Sequence, residues 1–224
     1  MPTSVRHVIY LHGFASSPAS GKAEQFRDAC EAQGTGFTCP DLNQPAFETL
    51  TTSRMLAQVR EIVAGVPGGP VALVGSSLGA FVAVLAAHED TTGRIDRLVL
   101  LAPALDFGGN RLTHLWEHSV EDWKRAGSLT VFHYADERDR QIGYALYEDA
   151  GRYDALTLPV TRPTLVFQGT KDDVVTPGMV QAWAHGQPLV DLRMLADGHQ
   201  LSTSIHTILT ESLEFLTGRR GATE

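Results

Sequence analysis

The sequence predicts an α/β fold in which a mainly parallel sheet is flanked by helices, and three observations support this. Short apolar runs alternate with stretches of helical periodicity along the chain, as in βαβ units. The composition is that of a globular protein, with 43% hydrophobic and 20% charged residues. A chain of 224 residues can bury a substantial core without the help of disulfides or metal ions, so residues 1–224 are predicted to form a single domain.

The elements are predicted from apolar patterns and from the residues that end them. Strands are predicted where short apolar runs stop at a turn signal, at Val5–Leu11, Gly36–Cys39, Pro70–Gly75, Ile95–Ala102, Pro163–Gln168 and Leu189–Leu195. Helices are predicted from helical periodicity and capping residues, at Ser20–Gln33, Thr49–Ala64, Leu78–His88, Pro177–His185 and Ser202–Leu216. Leu78–His88 is apolar nearly all round, which predicts a buried helix. The end of the chain, Arg219–Glu224, is predicted to be loose.

Residues 103–162 interrupt the alternation, because they form a long and aromatic segment between two predicted strands. Apolar residues recur there at helical spacing, at Leu112, Leu115, Trp116, Val120 and Trp123. The favoured interpretation is a small helical cap inserted over a pocket. The alternative is one ordinary βαβ crossover with an extra helix.

The formal net charge of −8 bears on the partners. An acidic chain gains little from counterion release, so nucleic acid is not expected as a partner. No apolar run approaches the roughly 18–20 residues of a membrane-spanning helix, and no secretory signal is expected in the first residues. Cys30 and Cys39 are the two cysteines, and they are expected to be buried thiols rather than a disulfide. A cytoplasmic location is therefore expected.

Gly75-Ser76-Ser77-Leu78-Gly79 matches the pattern G-x-S-x-G. The pattern is weak evidence alone, but here it directly follows a predicted buried strand and directly opens a predicted helix. That context is typical of a nucleophile elbow, in which the central serine stands at the carboxyl end of a strand. A structural glycine-serine turn is the alternative interpretation.

A serine hydroxyl needs a base to accept its proton and a third group to orient that base. Asp172 and Asp173 follow one predicted strand, and Asp197 and His199 follow the last one. Because parallel strands end at the same edge of a sheet, these side chains are expected near Ser77. The order Ser, Asp, His along the chain is that of α/β-hydrolases.

The chain resembles α/β-hydrolases, and most closely the small bacterial YqiA-type esterases. The resemblance rests on Ile9-Tyr10-Leu11-His12-Gly13-Phe14 with Ser16-Ser17-Pro18, and on Val74–Gly79. Gly169-x-x-Asp172 and Gly198-His199 are similar to the acid and base turns of the superfamily.

The resemblance implies a role for each matching position. Ser77 is the expected nucleophile, His199 the base and Asp172 the acid, with Asp173 and then Asp197 as rival acids. The backbone N–H groups of Phe14 and Leu78 are expected to form the oxyanion hole. His12 is expected to shape the loop that carries Phe14.

The expected function is hydrolysis of a small or medium acyl ester or thioester through an acyl-enzyme, with no cofactor or metal. A serine peptidase, an acyltransferase or a carbon–carbon hydrolase would use the same triad. A dehalogenase is disfavoured because the elbow holds a serine rather than a carboxylate. A non-catalytic ligand-binding scaffold is the alternative from another class.

Two further motifs resemble known binding sites but are not interpreted as functional. His114-Leu115-Trp116-Glu117-His118 matches a zinc-protease pattern, but no third ligand follows, and an amphipathic cap helix is the favoured interpretation. Gly21-Lys22 lacks the preceding glycine and the following hydroxyl residue of a phosphate-binding loop.

Overall fold

A computed structural model describes residues 5–115 and 117–218. Its centre is a six-stranded, all-parallel sheet flanked by helices, which confirms the predicted fold class. The strands of the described residues are β1 (His7–Leu11), β2 (Gly36–Thr38), β3 (Val71–Ser76), β4 (Ile95–Leu101), β5 (His114–Leu115), β6 (His118–Ser119), β7 (Ser128–His133), β8 (Arg138–Gly143), β9 (Thr164–Gly169) and β10 (Val190–Leu195). The helices are α1 (Gly21–Ala32), α2 (Thr52–Gly65), α3 (Leu78–Glu89), α4 (Val120–Ala126), α5 (Ala145–Ala150), α6 (Pro177–His185) and α7 (Ile205–Thr217).

The strand order β10-β9-β4-β3-β1-β2 places a topological switch point between β1 and β3. Helix α1 follows β1 on one face of the sheet, where it packs in a core shared with α7. Helix α3 follows β3 on the opposite face, in a core shared with α2 and α6. The segments that follow β1 and β3 therefore leave the sheet toward opposite faces, and a crevice opens between them at the carboxyl edge of the sheet. Open α/β sheets bind their ligands at such a point.

Helix α3 is buried on every face, as its uniformly apolar sequence predicts. It begins directly against the end of β1, where a Cβ atom added to Gly79 would lie 2.1 Å from the Leu11 carbonyl oxygen. No side chain fits at that distance. Glycine at this position therefore lets the first turn of α3 approach β1.

The predicted strands and helices outside the insertion all occur, with their ends shifted by a few residues. The largest shifts are three residues, at the starts of two helices: α2 begins at Thr52 rather than Thr49, and α7 begins at Ile205 rather than Ser202. Ser204 N–H donates to the Asp197 carboxylate, so the residues before Ile205 are held in a turn. The segment Arg219–Glu224 lies outside the described residues. Cys30 is buried and Cys39 is half-buried, and both thiols are free.

The insertion contains helices α4 and α5, but the helix expected through Leu112–Trp123 is wrong. His114–Leu115 and His118–Ser119 are short antiparallel strands, and Trp116 lies outside the described residues. The helix begins only after Ser119, whose hydroxyl caps it by accepting the Asp122 N–H at 3.0 Å.

A β-hairpin of β7 and β8 follows α4, and the sequence analysis missed it. The Trp123 indole N–H donates to the Ile142 carbonyl at 3.1 Å and so ties α4 to β8. Within the described ranges, no helix is long and apolar enough to cross a membrane.

Substitution of Gly79 by Ala is expected to lower the free energy of unfolding by about 1–3 kcal/mol, because the new methyl group overlaps the β1 backbone. Chemical denaturation monitored by circular dichroism measures the change. Gly178→Ala is the matched control, because Gly178 also lies in the first turn of a helix but has open space at the Cβ position. The control variant should be as stable as the parent or up to about 1 kcal/mol more stable. Equal loss in both variants would contradict the steric argument.

Candidate active site

Ser77 stands at the turn between β3 and α3 in a backbone conformation that side-chain-bearing residues rarely adopt, with φ 52° and ψ −113°. Glycines on both sides allow this sharp turn: a Cβ atom on Gly75 would lie 2.5 Å from the Ala80 Cα atom, and Gly79 contacts β1 as described. The Ser77 N–H donates to the Leu101 carbonyl at the end of β4, at 2.8 Å. The turn therefore holds the hydroxyl at the carboxyl edge of the sheet, within the switch-point crevice.

Ser77, His199 and Asp172 form one continuous chain of hydrogen bonds. The His199 Nε2 atom lies 3.1 Å from Ser77 Oγ. The His199 Nδ1 atom lies 2.9 Å from one Asp172 carboxylate oxygen and 3.1 Å from the other. An ionised carboxylate only accepts hydrogen bonds, so Nδ1 carries a proton and Nε2 is left free to accept the serine proton.

The Asp172 side chain is fully buried, and three further donors hold its carboxylate. The backbone N–H groups of Val174 and Val175 donate to Oδ1 at 2.9 and 2.8 Å. The Gln168 amide donates to Oδ2 at 2.9 Å. Burial acts to raise the pKa of Asp172, but the hydrogen bonds from His199, Val175 and Val174 outweigh it and lower the pKa. Asp172 is therefore oriented and kept ionised beside the imidazole.

The two rival acids point elsewhere. Asp173 is exposed to solvent. The Asp197 carboxylate accepts the N–H groups of Gly198 and Ser204, both at 2.8 Å. Asp197 thereby shapes the turn that carries His199 without contacting the imidazole.

His12 connects the loop after β1 to the chain around Leu42. The Leu42 N–H donates to His12 Nε2 at 3.0 Å, so that nitrogen carries no proton. His12 Nδ1 then donates to the Gly13 carbonyl at 2.9 Å. This pair of bonds holds the loop in place, in agreement with the expected structural role of His12.

Phe14 and Leu78, whose N–H groups are the expected oxyanion donors, both border the site. Leu78 is the first residue of α3, where N–H groups have no acceptor inside the helix. The loop that carries Phe14 crosses above the nucleophile: a Cβ atom on Gly13 would lie 3.5 Å from Ser77 Cβ. The Phe14 ring packs on Phe47 with 5.5 Å between centroids.

Two cavities meet at Ser77. The larger, of about 650 Å³, has the more polar lining of the two, which includes His199 and Lys22. The smaller, of about 260 Å³, has a mainly apolar lining that includes Phe107, Leu112 and Leu115. Burial raises the pKa of Asp106 at the wall of the smaller cavity, which favours its neutral form. Ser77 can therefore meet a carbonyl group whose two substituents differ in polarity.

The sequence analysis missed three residues of this site. Gln168 is fully buried and orients Asp172, Lys22 lines the larger cavity, and Tyr134, which follows β7, also lines that cavity. Gln168 ends a predicted strand and Tyr134 lies within the insertion, but neither matched a catalytic motif. Lys22 was dismissed with the pair Gly21-Lys22.

His114 and His118 lie on two short strands rather than on one helix, so the helical metal-binding geometry does not form. Among the described residues, no group of three or more His, Cys, Asp and Glu side chains is arranged to hold a metal ion.

Comparisons with known proteins agree with this architecture. The model of an uncharacterised protein family, UPF0227, matches residues 7–216. The chain is similar in sequence to "Palmitoyl-protein thioesterase ABHD10, mitochondrial" of Bos taurus, with 26% identity over 179 residues. That match covers 75% of this chain and 57% of the relative, so the chain spans little more than half the length of the curated protein.

Solved structures share the fold. Alpha/beta hydrolase domain-containing protein 10 from mouse superposes with a TM-score of 0.79 and 23% identity, covering 98% of this chain and 93% of the mouse chain. Est1E from Butyrivibrio proteoclasticus, with ferulic acid bound, superposes with a TM-score of 0.75 and 17% identity, covering 96% and 90% of the two chains. At these identities the likeness shows an α/β-hydrolase fold.

Replacement of Asp197 by Asn is expected to lower the free energy of unfolding by about 1–3 kcal/mol near pH 7, because one amide oxygen replaces the two carboxylate oxygens that accept Gly198 and Ser204. Burial acts to raise the pKa of Asp197, but these hydrogen bonds outweigh it and lower the pKa below its unfolded value. The stabilisation is thus complete above the unfolded pKa and is lost as the pH falls through the lower folded pKa. The gap between variant and parent should therefore close below about pH 4.

Urea denaturation over a range of pH measures this gap. Asp173→Asn is the matched control, since Asp173 is exposed, and its stability should stay within about 0.5 kcal/mol of the parent. A gap that is constant with pH would contradict the role assigned to the Asp197 carboxylate.

Proposed function

The chain belongs to the uncharacterised protein family UPF0227, and from this premise and the site geometry we propose that it is a serine hydrolase of small or medium acyl esters or thioesters. The observation that carries the proposal is the unbroken chain of hydrogen bonds from Ser77 through His199 to the buried Asp172. The thioester option is supported by the bovine relative, whose name is that of a palmitoyl-protein thioesterase.

In the proposed reaction, Ser77 Oγ attacks the substrate carbonyl while His199 Nε2 accepts its proton. The Asp172 carboxylate holds the Nδ1–H and stabilises the imidazolium that forms. The N–H groups of Leu78 and Phe14 donate hydrogen bonds to the developing oxyanion, an effect worth several kcal/mol in related sites. His199 then protonates the leaving group, and the acyl group stays on Ser77.

Hydrolysis completes the cycle. His199 Nε2 accepts a proton from water while the water oxygen attacks the acyl-enzyme carbonyl. The second tetrahedral intermediate then collapses: the bond from the acyl carbon to Ser77 Oγ breaks, His199 returns the proton to Oγ, and the acid is released. The first proton transfer joins Ser77 Oγ and His199 Nε2, which are already in hydrogen-bond contact, and the proposed cycle uses no cofactor.

We also propose that residues 103–162 act as a cap that limits the acyl group. Leu112 and Leu115 line the smaller cavity, and its volume of about 260 Å³ lies below the range typical of drug-sized ligands. A short or medium acyl chain fits such a cavity.

The two free thiols are compatible with the cytoplasmic location expected from the sequence.

Treatment with a fluorophosphonate probe, followed by peptide mass spectrometry, tests the nucleophile. The probe should label Ser77, and Ser77→Ala should abolish both labelling and hydrolysis of 4-nitrophenyl butyrate. Ser128→Ala is the control, because Ser128 is exposed on β7 and borders neither cavity. A folded wild-type protein that is not labelled at neutral pH would favour the non-catalytic scaffold.

Asp172→Asn is expected to reduce kcat/KM for 4-nitrophenyl butyrate by about 10⁴-fold, because an amide can present a donor to Nδ1 and favour the wrong imidazole tautomer. Asp173→Asn should reduce kcat/KM by less than about tenfold, since Asp173 makes no contact with the imidazole. Steady-state kinetics on both variants, after their folding is checked by circular dichroism, decides between the two carboxylates. The reverse order of effects would assign the acid to Asp173.

A further inference from the structure

The side of Ser77 on which a leaving group sits follows from the position of His199. If the proposed hydrolase chemistry holds, His199 must protonate the leaving group and therefore lies beside it. His199 lines the larger cavity and does not line the smaller one, which has mainly apolar side chains together with Asp106, His114 and Asp173. The leaving group is thus assigned to the larger, more polar cavity of about 650 Å³, and the acyl chain to the smaller, more apolar one.

The side chains that line the leaving-group cavity differ in charge from the acidic chain as a whole. Its lining contains one cationic side chain, Lys22, together with neutral polar residues such as Ser16, Gln25 and Ser202. Among the described residues, no aspartate or glutamate lines this cavity, although the whole chain has a net charge of −8. The charge that the described lining offers a ligand, apart from His199, is therefore the positive charge of Lys22.

The Lys22 ammonium group has N–H donors that make no hydrogen bond to the described residues. It is only partly exposed, and its Nζ atom donates to the Gln200 carbonyl at 2.9 Å. Within the part of the chain that the structure describes, this is the one hydrogen bond that Lys22 makes, and no carboxylate forms an ion pair with it. An ammonium group has three N–H donors, so two remain for a ligand.

The surroundings of Lys22 favour an added anion. Burial lowers the pKa of Lys22, and the carboxylates of Asp197 and Asp172 only partly oppose this. Both carboxylates are committed to other partners, Asp172 to His199 and Asp197 to backbone N–H groups. Burial destabilises the charged form of Lys22, and a negative ligand group beside the ammonium would stabilise that form.

We propose that Lys22 is a specificity-determining residue which selects acyl esters whose leaving group carries a carboxylate. A single cation balances a single negative charge, which a carboxylate supplies, and the hydroxyl and amide groups of the lining offer further donors to its oxygens. The proposal rests on the proposed hydrolase function and extends it to the class of leaving group.

A pair of butyrate esters tests the proposal. One is the ester of 4-nitrophenol, and the other is the ester of 5-hydroxy-2-nitrobenzoic acid, which adds a carboxylate to the same nitrophenol leaving group. The quantity measured is the ratio of kcat/KM for the carboxylated ester to kcat/KM for the neutral one. Comparison of this ratio between variants cancels the intrinsic reactivities of the two esters.

Lys22→Met should lower the ratio by about tenfold or more, which is the size of effect expected for a hydrogen bond between charged groups. Lys22→Arg keeps the charge and should retain most of the ratio. Lys124→Met is the matched control, because it removes the same charge from an exposed site on α4 outside the cavity, and it should leave the ratio unchanged. Added salt should lower the wild-type ratio and have little effect on the ratio of Lys22→Met.

The outcomes separate this proposal from the proposed function. If Lys22→Met lowers kcat/KM for both esters equally, Lys22 acts only by holding the turn at Gln200, and the inference about the leaving group is overturned. If the ratio falls equally in Lys124→Met, net charge rather than Lys22 is responsible, which also overturns it. If wild-type protein hydrolyses neither ester, the proposed function itself fails.

Discussion

The close approach of α3 to β1 is the constraint on which the site depends. The first turn of the helix lies so near the Leu11 carbonyl that only glycine fits at position 79, and Gly75 gives the same clearance on the other side of the elbow. Between them Ser77 is held in a strained backbone conformation, and its N–H is bonded to β4. The buried, apolar helix supplies the packing energy that offsets this strain. The hydroxyl is thereby fixed above the crevice where β1 and β3 diverge.

The same edge of the sheet gathers the partners of Ser77 from distant parts of the chain. Asp172 follows β9, and its carboxylate is held there by Val175 N–H and the Gln168 amide, whereas His199 follows β10. Asp197 anchors the turn of His199 through backbone N–H groups. The geometry of the proposed catalytic groups is thus set by three turns at the edge of the sheet and does not depend on long flexible side chains.

The elements of the sheet and its flanking helices were predictable because each has a local signal. Pro70, Pro163 and Gly65 mark ends that the structure reproduces to within one or two residues, and the carboxyl-edge rule then brought Ser77, Asp172 and His199 together. The insertion was harder. Alternate residues of β7 are buried, as in a strand, but a buried histidine at position 133 interrupts the apolar pattern, and a helical spacing of aromatic residues upstream suggested a longer helix. Lys22 and Gln168 gave no signal, because their contacts exist only in the folded chain. Lys22 reaches the Gln200 carbonyl across 178 positions of sequence.

The insertion also has a structural connection to the proposed oxyanion loop. The Tyr134 N–H at the end of β7 donates to the Ala15 carbonyl at 2.9 Å, and the His133 ring packs against Phe47, which in turn contacts Phe14. The Tyr134 side chain meanwhile lines the larger cavity. One strand therefore supports the loop that carries a proposed oxyanion donor and also forms part of the wall against which a leaving group would lie. These contacts belong to the adjacent residues His133, the last of β7, and Tyr134, which follows it. In the proposed mechanism, the end of this strand therefore bears both on the wall of the leaving-group cavity and on the loop that carries the Phe14 N–H.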